Sequence, residues 1–221
     1  MLSKEEIYEV LRHTDHTCLR PDTTEKDIDI LIEESIRFNT ASVCIPPSFV
    51  SYARRKAPTL NICTVIGFPL GYSTKATKIV ESVNALNEGA NEVDMVINIG
   101  DLKQNNYEKI LDEISSIKKA IGNNVLKVIV ETCLLTPFEI QEITKIVSSS
   151  GADYIKTSTG FSKEGAKDSD IEIFKSNRFP ELKIKAAGGI RSLERAKEFI
   201  DMGCDRIGAS SLVKEAISMG L

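Results

Sequence analysis

The 221-residue chain has no excess of basic residues: 28 Lys and Arg stand against 32 Asp and Glu, a formal charge of -4. That balance argues against a nucleic-acid partner, for which a basic stripe is expected. No stretch approaches the roughly 18 consecutive apolar residues of a membrane-spanning helix. Met1 to Glu6 is charged and helix-like and lacks the apolar region of a secretory signal. The expectation is a soluble, cytoplasmic protein with no membrane or nucleic-acid partner. Histidine is scarce: only His13 and His16 occur, in extended surroundings and with no third strong ligand nearby. No metal site is expected there. The five cysteines, Cys18, Cys44, Cys63, Cys133 and Cys204, are odd in number, widely spaced and mostly set in apolar runs. They read as buried free thiols rather than a disulfide framework or zinc site. No Gly-x-Gly-x-x-Gly follows the first strand, which argues against a dinucleotide-binding sheet.

What the chain does have is a regular alternation of strand and helix patterns. An N-terminal helix precedes a strand near Thr14 to Cys18, and a helix with Ile28, Leu31, Ile32 and Ile36 on one face follows. Strands are then expected at 41–45, 61–66, 91–98 and 125–130, and around Lys156, Lys185 and 206–210. A helix between the third and fourth carries Ala76, Ile79, Val80, Val83 and Leu86 at helical spacing. Thr136-Pro137-Phe138-Glu139 is a capping box with proline at the first helical position. Such alternation implies right-handed βαβ units and a parallel sheet. Eight units in 221 residues fit a single α/β domain over 1–221, a closed (β/α)8 TIM barrel with an additional N-terminal helix, better than an open doubly wound sheet.

Three charged residues sit where strands are expected to be buried. Lys156 lies inside Asp153-Tyr154-Ile155-Lys156, which ends in Thr157-Ser158-Thr159-Gly160. Burying an ammonium is costly unless it is paired or its pKa falls, and a lysine with a lowered pKa is the amine that forms a Schiff base. On its own Lys156 reads more readily as an edge-strand lysine with its head in water. Lys185 recurs in the same setting within Lys183-Ile184-Lys185-Ala186-Ala187, ahead of Gly188-Gly189. If the two strands are neighbours, each ammonium raises the cost of protonating the other. Asp94 lies in the otherwise apolar Val93-Asp94-Met95-Val96, either paired with those lysines or acting as a general acid/base. Barrel strand ends surround one pocket, which would bring the three together. Gly188-Gly189 and Gly208-Ala209-Ser210-Ser211 follow strands seven and eight, where barrels commonly hold a phosphate.

Taken in order, Asp15-His16-Thr17, Ser42-Val43-Cys44, Glu92 to Val96, Lys156 to Phe161, Lys185 to Arg191 and Gly208 to Ser211 resemble the class I deoxyribose-phosphate aldolase family over essentially the full length. The resemblance implies reversible cleavage of 2-deoxy-D-ribose 5-phosphate to D-glyceraldehyde 3-phosphate and acetaldehyde, with neither metal nor other cofactor, and is compatible with a homodimer. It assigns the Schiff base to Lys156, electrostatic activation and assistance in proton transfer to Lys185, and proton exchange to Asp94. The substrate phosphate is expected on backbone amides around Gly160, Gly188, Gly189, Gly208, Ser210 and Ser211. Asp15, Thr157 and Ser158 are expected at the pocket, and Cys44 either beside it or as a packing thiol. One departure is Ser162-Lys163-Glu164-Gly165-Ala166-Lys167, which stands where a glycine-rich loop is expected and offers Lys163 as a phosphate contact. Three other readings stay open: another Schiff-base barrel aldolase, a non-covalent phosphosugar isomerase, and a phosphosugar-binding barrel.

Overall fold

The computed structural model describes residues 2–221. Eight parallel strands hydrogen-bond in chain order and close, β8 pairing back onto β1. They are β1 (Thr14–Thr17), β2 (Ser42–Ile45), β3 (Ile62–Ile66), β4 (Glu92–Val96), β5 (Val125–Ile129), β6 (Tyr154–Lys156), β7 (Lys183–Ala187) and β8 (Arg206–Ala209). The helices, in chain order, are α1 (Lys4–Arg12), α2 (Glu25–Phe38), α3 (Val50–Lys56), α4 (Lys75–Asn87), α5 (Ile99–Lys103), α6 (Tyr107–Ile121), α7 (Pro137–Ser149), α8 (Asp168–Asn177), α9 (Leu193–Asp201) and α10 (Leu212–Ser218). The fold is therefore the (β/α)8 barrel expected, with α1 ahead of the first strand.

Local chemistry fixes the element ends. Ser3, Thr24 and Thr136 each accept the third helical N–H while Glu6, Asp27 and Glu139 reach back to the cap, which closes orphan donors at the start of α1, α2 and α7. Asn39 ends α2 in the left-handed region at φ 50°, a position asparagine tolerates better than most residues. Between barrel and helices lies an apolar layer that includes Ile28, Leu31, Ile62, Ile66, Ile114, Phe174 and Phe199, all buried.

Two helix faces differ from the sequence pattern. Ile36 of α2 is exposed, and Ser35 and Phe38 turn inward instead. On α4 the inward face is Lys78, Ser82 and Ala85, while Val80 faces solvent. The cause is Lys78, wholly buried, whose Nζ donates to the Val96 carbonyl at 2.8 Å and pairs with Glu113 at 2.9 Å. A hydrophobicity pattern cannot anticipate a helix that turns a lysine inward to bond a strand end. The short α5, also absent from the expected elements, starts at Asn98, whose side chain accepts from Asp101 N–H.

Candidate active site

Alternation along the strands sends Asp15, Glu92, Asp94, Lys127, Lys156, Lys185 and Arg206 to the barrel interior, where they form one connected charge network. Register makes the meeting possible: Asp94 lies opposite Lys127, and Lys156 opposite Lys185, on adjacent strands. Asp94 is the centre. Its Oδ2 accepts from Lys156 Nζ and Lys185 Nζ, each at 2.7 Å, and its Oδ1 accepts from Lys127 Nζ at 2.8 Å and the Cys63 thiol at 3.1 Å. Asp15 is held by Lys185, by Arg206 and by the Ser42 hydroxyl at 2.7 Å. Glu92 pairs with Lys127 and accepts from Asn61 at 2.7 Å.

The charges sort by arithmetic. Asp15, Glu92 and Asp94 are three carboxylates against four cations, Lys127, Lys156, Lys185 and Arg206, which leaves one positive charge in excess. Lys156 is the cation with a single carboxylate partner, Asp94, whereas Lys127, Lys185 and Arg206 each pair with two or more. Burial pushes the Asp94 carboxyl up, but Lys127, Lys156 and Lys185 outweigh it and hold it well below the usual carboxylate range. Asp15 is lowered by the same balance, burial against Lys185, Lys127 and Arg206. Burial lowers Lys185, yet Asp15 and Asp94 together raise it above the ordinary lysine value. Lys185 is thus a fixed ammonium, a source of positive charge and hydrogen bonding.

Above this network opens a cavity of about 520 Å³ at the C-terminal ends of the strands. Lys156 is the member of the network that lines it, together with Gly160, Gly188, Gly189, Gly208, Ser210 and Ser211. Asp94 and Lys185 lie fully buried beneath. Asp15, Cys44, Thr157 and Ser158 are also buried and stand outside the cavity lining. Thr157 instead ties β6 to β7, donating to the Ala187 carbonyl at 3.0 Å and accepting from the Ala187 N–H at 3.1 Å. Thr159 faces the cavity in their place, braced by Glu131, which accepts from its backbone N–H at 3.2 Å and from its hydroxyl. Arg20, Arg191 and Lys214 bring positive charge to the rim. Lys163 is exposed and outside the lining.

The rim turn is built by a close approach of two glycines. Gly188 sits at φ +84°, and a Cβ on Gly165 would lie 2.0 Å from the Gly188 carbonyl oxygen, far inside van der Waals contact. Ala166 N–H donates to the Ala187 and Gly188 carbonyls, each at 3.1 Å. The segment 162–167, which replaces the expected glycine-rich loop, thus keeps one glycine where contact demands it. Gly165→Ala displaces the Gly188 turn, and the Michaelis constant for a phosphorylated substrate should rise about tenfold, the size of one lost hydrogen bond. The turnover number should change less. Steady-state kinetics with phosphorylated and unphosphorylated substrates check this; an unchanged ratio of the two constants refutes it.

Sequence reasoning did not single out Lys127, Glu92, Arg206 or Cys63. The signal for Lys127 was there: a lone lysine inside Val125-Leu126-Lys127-Val128-Ile129 is the same anomaly as Lys156. Glu92 and Arg206 stand at strand starts, where charge is ordinary.

The comparisons with known proteins agree with this geometry. The family described as DeoC/LacD family aldolase matches residues 10–220. The chain is 51% identical over 206 residues to a deoxyribose-phosphate aldolase of Clostridium botulinum (strain Alaska E43 / Type E3), covering 93% of each. It is 50% identical to one of Clostridioides difficile (strain 630), covering 93% of this chain and 94% of that one. Among solved structures, an aldolase named QR15 superposes with a TM-score of 0.91 at 37% identity over 96% of this chain and 97% of that one. The tetrameric deoxyribose phosphate aldolase of Aeropyrum pernix gives 0.84 at 29% identity over 100% of both chains. With a match spanning nearly its whole length and a buried lysine–carboxylate network opening on one cavity, the chain belongs to the DeoC/LacD aldolase family.

Proposed function

We propose that the chain is a deoxyribose-phosphate aldolase working through a Schiff base on Lys156. The observation that carries the reading is that Lys156, the network cation held by a single carboxylate, is also the member of the network that lines the cavity. A neutral Lys156 amine attacks the aldehyde carbon of open-chain 2-deoxyribose 5-phosphate, and loss of water gives the protonated imine. Asp94, 2.7 Å from Lys156 Nζ, is within reach of the proton that the amine and then the carbinolamine must exchange, directly or through one water. Removal of the C3 hydroxyl proton lets the C2–C3 bond break. Its electron pair flows into the imine to give the enamine, and glyceraldehyde 3-phosphate departs. Protonation of the enamine carbon and hydrolysis release acetaldehyde and return the amine.

The surroundings fit these steps. Lys185, held as an ammonium by Asp15 and Asp94, keeps positive charge beside the reacting nitrogen. The phosphate sits at the rim, which Gly188, Gly189, Ser210 and Ser211 line and to which Arg191 and Lys214 add charge. The protein should therefore cleave 2-deoxyribose 5-phosphate with release of acetaldehyde, and act on unphosphorylated 2-deoxyribose at least ~10²-fold less efficiently, because the rim contacts then bind nothing. A coupled assay for acetaldehyde with both sugars tests this. Conversion of a phosphosugar without carbon–carbon cleavage favours the isomerase, and binding without turnover favours the binding barrel.

A further inference from the structure

Two of the five cysteines stand side by side under the catalytic cavity. Cys44 of β2 and Cys63 of β3 are partners in the strand register and both point into the barrel. Adjacent strands lie about 4.8 Å apart, within the range of Cα separations that a disulfide spans. The two sulfurs and an oxygen of Asp94 lie within 4.8 Å of one another. Both are free thiols. The Cys63 sulfur is also 3.2 Å from Lys127 Nζ and donates to Asp94 Oδ1, so its proton is part of the network around the central carboxylate.

We propose that Cys44 and Cys63 are a redox modification site: peroxide converts them to a reversible disulfide that slows the aldolase by withdrawing a hydrogen-bond donor from Asp94. The Cys44 sulfur attacks one peroxide oxygen; the O–O bond breaks, a sulfenic acid forms, and the departing oxygen leaves as water with the Cys44 proton. The Cys63 sulfur then attacks the sulfenic sulfur. Its hydroxyl leaves as a second water, carrying the Cys63 proton. Two thiols and one peroxide thus give one disulfide and two waters.

The order of attack follows from the surroundings. Contact with the Cys63 thiol lowers the Cys44 thiol below its ordinary value despite burial, helped by Lys185 and Lys156. Burial, Cys44 and Asp94 push Cys63 up. Cys44 is therefore the attacking sulfur and Cys63 the resolving one. Cys204 offers the contrast: burial pushes it up to about 12, the setting of an inert thiol. Both thiols are buried, and Leu19, half-buried, packs against the pair and lines the cavity, so peroxide reaches them by displacing that side chain.

The effect on rate rests on the aldolase reading; the disulfide does not, so the experiment reads them separately. Native protein is treated with hydrogen peroxide, excess is removed, free thiols are blocked under denaturing conditions, and unreduced peptides are mapped by mass. A linked pair containing Cys44 and Cys63 is expected. In parallel, aldol cleavage should fall about tenfold or more, the size of one hydrogen bond to a charged group, and return on reduction with dithiothreitol. Cys63→Ala and Cys63→Ser should each show no linked pair and no dithiothreitol-reversible loss relative to their own untreated rates. Blocking of both thiols after peroxide, or a sulfinic Cys44 without linkage, overturns the site. Linkage with no change in rate overturns the control of activity while leaving the site. Absence of aldol cleavage before treatment points instead to a failure of the aldolase reading.

Discussion

Lys156→Ala lowers turnover of 2-deoxyribose 5-phosphate by at least ~10⁴-fold, a fraction of the acceleration enzymes commonly reach, and leaves the barrel folded. The first half follows from chemistry: without a primary amine in the cavity there is no imine, and the electrons of the broken C2–C3 bond have nowhere to go. The second half follows from the charge count. Removing Lys156 leaves Asp15, Glu92 and Asp94 matched by Lys127, Lys185 and Arg206, with Asp94 still holding Lys127 at 2.8 Å and Lys185 at 2.7 Å. No buried carboxylate is orphaned, so the large penalty of breaking a buried ion pair does not arise. Melting temperature should move by only a few degrees, and Lys156→Met, which restores most of the volume, should behave the same way. A variant with a tenth of wild-type turnover contradicts the mechanism. Collapse of both variants contradicts the charge account.

Asp94→Asn is expected to do the opposite, damaging fold and chemistry together. It removes the anion on which Lys127, Lys156 and Lys185 converge, leaving two carboxylates against four cations in the barrel interior. Destabilisation of about 3–5 kcal/mol is the usual cost of stripping one partner from a buried ion pair, and it should appear as a lower midpoint in urea unfolding. Turnover should fall by ~10²–10⁴-fold, the span of a lost general acid/base. The pairwise nature of the cost can be tested directly. Adding Lys127→Met to Asp94→Asn removes the excess cation bonded to the lost oxygen, and stability should recover in part while activity does not. An Asp94→Asn protein as stable as wild type would mean that the network is less tightly coupled than its distances imply.

These two variants also mark how far the sequence could be read. The alternation of patterns carried the barrel and the strand order, because period-2 runs bounded by glycine and proline are local signals that survive folding. Lys156, Lys185 and Asp94 were visible for a physical reason: a charge inside a buried strand is expensive and so conspicuous. Lys127 carried the same mark in β5. What the sequence could not supply was the sharing. That Asp94 serves three lysines, and that Lys185 is fixed as an ammonium by Asp15 at the far end of the chain, depends on barrel closure, which no local pattern encodes. Lys78 shows the same limit: its pairing with Glu113 and the Val96 carbonyl turned α4 away from the face its apolar residues suggested. Thr157 and Ser158 were expected at the pocket, but Thr157 is tied to Ala187 and it is Thr159, beyond the end of β6, that faces the cavity.

The central claim is that Lys156 is the nucleophile, and borohydride trapping tests it most directly. Wild type and Lys156→Ala are incubated with acetaldehyde and sodium borohydride, then digested and mapped by mass. The account predicts an ethyl adduct on the peptide carrying Lys156 in the wild type and none on any peptide of the variant. An adduct that survives Lys156→Ala, or sits on Lys185 or Lys127, would contradict it, as would the absence of any adduct under conditions of turnover.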